Sequence, residues 1–428
     1  MAYYPSASPA VPSPRPPSAI GVGDVPPMQP WHRRRGVRVA VGIVAAGVIA
    51  FAGLLIFGFV GYQLGPMAFL LAAGAAILPV PILVFCFWWL DRYEPEPWHH
   101  LAFAFGWGAC VATAASLLLN TTGDAVFQGI GGPESAAAVF VAPPVEEFFK
   151  ALPLFLLLGL TILGLRQING VIDGIVYAGM SAVGFAFTEN ILYFGAAYVE
   201  AAADGQGIPA LIAIFVLRGV LSPFAHPLFT CMTGIGVGIA ALHRQAWVRI
   251  LAPLGGLLLA IGLHATWNLL ASSGDGTVIL AGYALFMVPV FIMMVVAAIV
   301  LRRREARVVS RALPAYINAG WFNPQEVASL GTMAGRRAAR RWARSLAGGM
   351  GAKAMSDYQA ASMKLAMLRD GLIRGIAGSD YADEEKTLLQ TIGARRLYVM
   401  QNSRHRPVGP GWAANQPAYQ PGYGPGRV

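Results

Sequence analysis

The residues able to do chemistry in this chain stand in apolar surroundings, where ionisable side chains are costly and usually functional. They are Glu146, Glu147 and Lys150 in one apolar run, Asp173 and Glu189 in the next, then Arg218 and His226, then His264 with Asn268. In Pro143-Pro144-Val145-Glu146-Glu147-Phe148-Phe149-Lys150 the prolines suit the first turn of a helix. A helix restarting at Pro144 would set both glutamates in its first turn, where the dipole favours carboxylates. Glu146 and Lys150, four apart, share a face and are expected to pair, while Glu147 points about 100° away. Two carboxylates in unlike environments are a means of separating acid from base. A Glu–Lys pair that merely neutralises itself is the plainer alternative, and it accounts for only one of the two glutamates.

Glu189 and Asn190 lie deep in the next apolar run with no base nearby in sequence. A buried lone glutamate is either protonated or bound to something cationic, so its partner must come from another helix. His264 and Asn268 share a helix face, and His226 stands between Pro223 and Pro227. Neutral imidazole is the commonest metal ligand, and Glu with two His is a ligand set of catalytic zinc. Each histidine alone reads equally well as a satisfied core residue. Two of them beside three buried glutamates are harder to treat so.

These residues must be positioned by membrane helices. Of the 428 residues, 56% are hydrophobic and only 12% charged, and the mean hydropathy is +0.57. A soluble chain carries about 25% charged residues, so an ordinary soluble enzyme is excluded. The apolar runs predict an all-α polytopic bundle of about eight spans: 37–60, 66–90, 101–119, 136–164, 171–199, 208–242, 249–271 and 277–301. The sixth is too long for one straight crossing and is expected to break near Pro223. Small residues in the fifth (Gly174, Ala178, Gly179, Ala182) would allow close helix packing.

The net charge of +10 sits on the ends. Residues 1–38 hold five of the 31 Lys and Arg, and residues 302–428 hold 20, whereas 39–301 hold 12 acidic residues and six basic ones. Loops with Lys or Arg alternate with loops that have none, which places both termini in the cytosol of a cell (plasma) membrane protein. Glu146, Glu189, His226 and His264 then fall at compatible depths in the outer half of the bilayer. The expected domains are a disordered arm (1–36), a membrane domain (37–301), a basic helical tail (302–405) and a disordered end (406–428). Arg336, Arg337, Arg340, Arg341 and Arg344 in the tail read as a helix on anionic lipid, and nucleic acid is not expected as a partner. Asn323-Pro324-Gln325-Glu326 reads as a helix start.

Together, Glu146-Glu147-x-x-Lys150, Phe185-x-x-x-Glu189-Asn190, His226 and His264-x-x-x-Asn268 resemble the PrsW family of intramembrane proteases. That family is related to the CAAX-protease and bacteriocin-processing superfamily. The loop Asp91-Arg92-Tyr93-Glu94-Pro95-Glu96-Pro97 and Asp173-Gly174 share the likeness, which covers roughly residues 85–270. The wider superfamily usually has a later Arg and a His in the second motif. Here Lys150 and Glu189 stand instead, as in the PrsW branch. The resemblance implies cleavage of a single-span membrane protein, such as an anti-sigma factor, near the extracytoplasmic face. Such an enzyme would use Glu147 as general base, with Glu146 paired to Lys150 or sharing the water. Glu189, His226 and His264 would hold a divalent metal, expected to be zinc. Asn268 would orient His264 or donate to the oxyanion, and Arg218 would neutralise the acidic cluster or bind a lipid headgroup. Asp173 reads as a helix-start residue. A transporter or a non-enzymatic scaffold or sensor would also place Glu and His at mid-depth.

Overall fold

The computed structural model describes residues 12–14, 31–131, 136–162, 167–376 and 381–402. Glu134, Arg166, most of the N-terminal arm and the end from 403 lie outside the described residues. The described residues are mostly helical, with no strand among them. The chain divides into two compact units, one of residues 32–301 and one of residues 302–428 together with 1–31.

In the first unit α1 (Trp31–Ala76) is broken at Gly65, whose φ of 76° and ψ of 162° lie outside helical space. Positive φ suits glycine, and Pro66 disfavours helix in the residue before it. The break falls between the first two expected runs, and α2 (Val80–Leu90) follows. Next, α3 (Trp98–Gly106) runs through a wide turn at Trp107–Ala112 into α4 (Thr113–Gly129). Then come α5 (Ala136–Phe140), α6 (Ala142–Leu160), α7 (Val171–Ala202) and α8 (Gly207–Phe215). After a second wide turn at Val216–Leu221, α9 (Ala225–Ala241), α10 (Ala246–Ala271), α11 (Gly276–Gly282) and α12 (Val288–Ala312) complete it, α12 running on past residue 301. Six helical stretches among the described residues are long and apolar enough to cross a membrane. These are Gly42–Leu90, Trp98–Gly129, Val171–Ala202, Gly207–Ala241, Ala246–Ala271 and Gly276–Asn318. The shorter α6 carries three charges within residues 146–150.

α7 lies at the centre, buried on nearly every face. It packs on α9 backbone to backbone. A Cβ at Gly174 would come within 2.1 Å of the Gly234 carbonyl oxygen, so only glycine permits this approach. α6 is tied in by its backbone. Pro153 has no N–H to offer the Phe149 carbonyl, and Trp107 Nε1 donates to that oxygen instead at 2.9 Å. In the wide turn the Gly108 and Ala109 carbonyls accept from the Thr113 and Thr188 hydroxyls at 2.9 and 2.7 Å.

The second unit holds α13 (Pro314–Asn318), α14 (Pro324–Leu330), α15 (Met333–Ile373) and α16 (Tyr381–Gln401). Asn323 caps α14 as expected: it accepts from the Glu326 N–H at 2.7 Å, and Glu326 accepts from the Asn323 N–H at 2.9 Å. This unit is not one helix spread on a surface. It has its own core, and Arg336 points into it, with Nε donating to the Leu330 carbonyl at 2.8 Å. Arg340 bonds Gln359, whereas Arg337, Arg341 and Arg344 stay exposed. Residues 12–14 of the arm belong to the same unit, and the Pro12 carbonyl accepts from Arg369 at 2.6 Å.

The α2–α3 loop folds back on the start of α7. Glu96 N–H donates to Asp91 at 2.8 Å, Tyr177 OH donates to Glu96 at 2.6 Å, and Asn169 N–H donates to Asp173 in the first turn of α7 at 2.6 Å. Burial, with the Asp173 charge adding, pushes the Asp91 carboxyl up to about 8 and the Glu96 carboxyl up to about 9.

Two outcomes are expected. Gly174→Leu should cost about 3 kcal/mol or more by overpacking, read as a fall of about 6–12 °C in Tm, whereas Gly159→Leu, with open space around it, should change little. Equal melting would remove the backbone contact. The folded chain keeps protons on Asp91 and Glu96 that the unfolded chain releases near pH 4. Stability should therefore fall as pH rises from about 4 towards 8–9, and Glu96→Gln should flatten that slope in a thermal-shift pH series.

Candidate active site and metal centre

Four helices bring the chemistry together. The break at Val141 lets α6 start at Ala142 with Pro143 and Pro144 in its first turn. Glu146 and Glu147 therefore stand in the second turn, beyond the first turn where the dipole acts, and not in the first as expected. Their stabilisation has to come from neighbouring side chains. α9 begins after Pro223 and Phe224, which puts His226 in its first turn and Pro227 where no N–H is needed. His264 is buried on α10, and Glu189 and Asn190 project from α7.

Glu147 is fully buried and holds the centre. Its Oε1 accepts from Lys150 Nζ at 2.6 Å and from His264 Nδ1 at 2.9 Å, and its Oε2 accepts from Thr230 at 2.7 Å. Lys150 thus pairs with Glu147, three residues back. Its expected partner Glu146 is 3.7 Å away, too far for a hydrogen bond. Both spacings share a helix face, and the deeper carboxylate wins because two other helices also converge on it. The Lys150 ammonium also reaches His226 Nδ1 at 3.1 Å and lies 4.4 Å from the Phe185 ring centroid.

Glu146 is the less committed carboxylate. Oε1 accepts from Asn120 at 3.1 Å, and Oε2, though buried, has no hydrogen-bond partner among the described residues. That oxygen lies 3.8 Å from His264 Nε2. The partners fix the tautomers. His264 carries its proton on Nδ1, facing Glu147, so the Nε2 lone pair faces Glu146. His226 carries its proton on Nε2, 2.7 Å from Glu189, so its Nδ1 lone pair faces Lys150.

Glu189 is expected among the metal ligands, and its geometry differs. It accepts from Arg218 at 2.5 Å and from His226, while Arg218 Nε also donates to Asn190 at 2.9 Å. The group able to surround a cation is Glu146, His226 and His264, with one ligand atom from each and all of these within 4.8 Å of one another. The donor types suit zinc, and the orphaned buried oxygen of Glu146 calls for a cation or a proton. Arg218 does meet the acidic cluster, through Glu189, and packs 4.0 Å from the Tyr193 ring centroid. Asn268 does not orient His264 by the bond expected of it: its amide donates to the Ala138 carbonyl at 2.8 Å and ties α10 to α5.

The sequence reading passed over Thr230 and Asn120. Thr230 is four residues after His226, hence on the same face of α9, and that spacing was its signal. Asn120 is a lone amide at the end of an apolar run.

Residues 96–297 match the profile of a family described as PrsW family intramembrane metalloprotease. Curated relatives include Protease PrsW of Geobacillus kaustophilus (strain HTA426), 28% identical over 189 residues, which are 43% of this chain and 74% of the relative. Protease PrsW of Clostridioides difficile (strain 630) is 32% identical over 158 residues, 36% of this chain and 60% of the relative. No solved structure matches the chain. A helical membrane bundle, a buried Glu/Glu/Lys/His/His cluster and these matches agree: over residues 96–297 the membrane-embedded unit of this chain is similar to the PrsW family of intramembrane proteases.

Proposed function

We propose that this chain hydrolyses a peptide bond of a single-span membrane protein, near the extracytoplasmic face of the plasma membrane, with both termini in the cytosol. The observation that carries the site assignment is the buried, unbonded Oε2 of Glu146 facing the His264 Nε2 lone pair. The basic flanks of residues 33–38 and 302–304 support the orientation. An anti-sigma factor fits the substrate class, and the exposed Arg337, Arg341 and Arg344 fit anionic headgroups.

Peptide hydrolysis needs an activated water, stabilisation of the oxyanion and a proton for the leaving amine. Glu146, His226 and His264 would hold a divalent metal, most simply zinc, which supplies Lewis acidity and lowers the pKa of water. Glu147 locks the His264 tautomer and ring orientation, as a carboxylate behind a histidine ligand does. It is better suited to that work than to the base role expected of it, because both its oxygens already accept hydrogen bonds. Glu146 Oε2 takes one role or the other: as a ligand it would leave activation of the water to the metal, and without a metal it is the buried carboxylate oxygen open to take the water's proton and pass it to the amine. Arg218 pairs with Glu189, which in turn holds His226 by its Nε2–H. Thr230 and Asn120 fix the two α6 carboxylates from α9 and α4.

The test uses purified full-length protein in liposomes with a single-span reporter, and fragments are read by mass spectrometry. Glu146→Gln should lower the cleavage rate by about 10²-fold or more, with unchanged melting. Full cleavage by that variant would remove Glu146 from the reaction. Chelation should abolish cleavage and zinc should restore it. Cleavage that survives with metal removed would leave Glu146 as an unaided base and remove the metal from the reading.

A further inference from the structure

Three ligand atoms could face a metal in this site, and they are not equally available. Glu146 Oε2 has no hydrogen-bond partner among the described residues. The His264 Nε2 lone pair is open because Nδ1 carries the proton bonded to Glu147. The third, His226 Nδ1, is taken by Lys150 Nζ at 3.1 Å. The other ring nitrogen of His226 is committed to Glu189 at 2.7 Å. His226 therefore has no lone pair to offer without giving up the lysine.

Lys150 is able to let go. Its ammonium is fully buried and has a second, shorter contact, Glu147 at 2.6 Å, that lies outside the three-residue ligand group. Releasing His226 leaves that ion pair intact. Charge sets the ammonium and a metal against each other. Three carboxylates (Glu146, Glu147, Glu189) face two permanent cations (Lys150, Arg218), so the cluster carries one surplus negative charge. A dication added with Lys150 in place turns that into one surplus positive charge, whereas without the lysine charge the loaded cluster is neutral. In a low-dielectric site the neutral arrangement is preferred, and two cations a few ångströms apart repel strongly.

We propose that Lys150 is a built-in competitor for the metal: its ammonium holds the His226 lone pair, a metal must displace it, and Lys150 thereby keeps the affinity of the site low and the metal exchangeable. This rests on the metal reading above. Lys150 acts as a positioning residue, through His226 and Glu147.

The test is titration of the purified full-length chain with Co²⁺, followed by absorption, and with Zn²⁺ by competition. One site per chain is expected, lost in His264→Ala. Lys150→Met should bind about tenfold tighter or more, the scale on which groups behind the ligands move metal affinity. A purely structural lysine would give no gain. Lys150→Met leaves Glu147 buried without its cation, which is strongly destabilising on its own. The double variant Glu147→Gln with Lys150→Met, compared with Glu147→Gln alone, therefore repeats the measurement without that stress, since the amide oxygen can still accept from His264. Tighter binding in either comparison supports the proposal, and binding seen only once Lys150 is replaced is its limiting form. Unchanged or weaker affinity in both comparisons overturns it while leaving the metal site standing. Absence of any His264-dependent binding in all these proteins overturns the metal reading and the proposal with it.

Discussion

Charge pairing in a medium that cannot solvate charge governs this molecule. Lys150, Glu146 and Glu147 are buried between helices that otherwise carry apolar side chains, and an unpaired ion there costs several kcal/mol even after relaxation. The answer is a continuous chain of contacts. Arg218 meets Glu189, Glu189 meets His226, His226 meets Lys150, Lys150 meets Glu147, and Glu147 meets His264. Every link joins side chains from different helices except the Lys150–Glu147 pair within α6. The polar network is thus both the proposed reactive centre and the specific glue between α6, α7, α9 and α10. One fully buried carboxylate oxygen of the network, Glu146 Oε2, is left without a partner among the described residues.

Such a network needs helices at fixed distances, and those distances come from the smallest side chains. Where Gly174 meets Gly234, α7 and α9 touch by their backbones, and Glu189 and His226 on the same two helices are then close enough to bond. The geometry of this site therefore depends on residues that carry no functional group at all.

Much of this was legible in the chain itself. The apolar runs reappear as helices, with the breaks at Gly65 and before Ala225 where proline and glycine put them, and the α14 cap sits at Asn323. Apart from Arg218, which lies in the wide turn at Val216–Leu221, the residues singled out inside apolar runs fall on helices. What the chain did not reveal is azimuth. Spacing placed both Glu146 and Glu147 within reach of Lys150, and depth placed both Glu146 and Glu189 level with the histidines. Which of each pair faces inward depends on helix rotation, and rotation is set by partners such as Thr230 and Asn120 on other helices. The tail shows the same dependence on rotation. Five arginines in nine residues look like a basic face, yet Arg336 bonds a carbonyl inside the unit and Arg340 bonds Gln359, while Arg337, Arg341 and Arg344 point out.

The bond from Trp107 to the Phe149 carbonyl has a consequence of its own. Proline at 153 exports one rung of the α6 ladder to another helix. Within hydrocarbon a carbonyl left bare is costly, so α6 cannot slide along its axis without losing that peg. The rung lies one residue from Lys150, at the floor of the charged turn. On the proposed reading, Trp107 would thereby set the level along α6 to which a scissile bond must be brought, and a helical substrate would have to unwind there for its carbonyl to be reached.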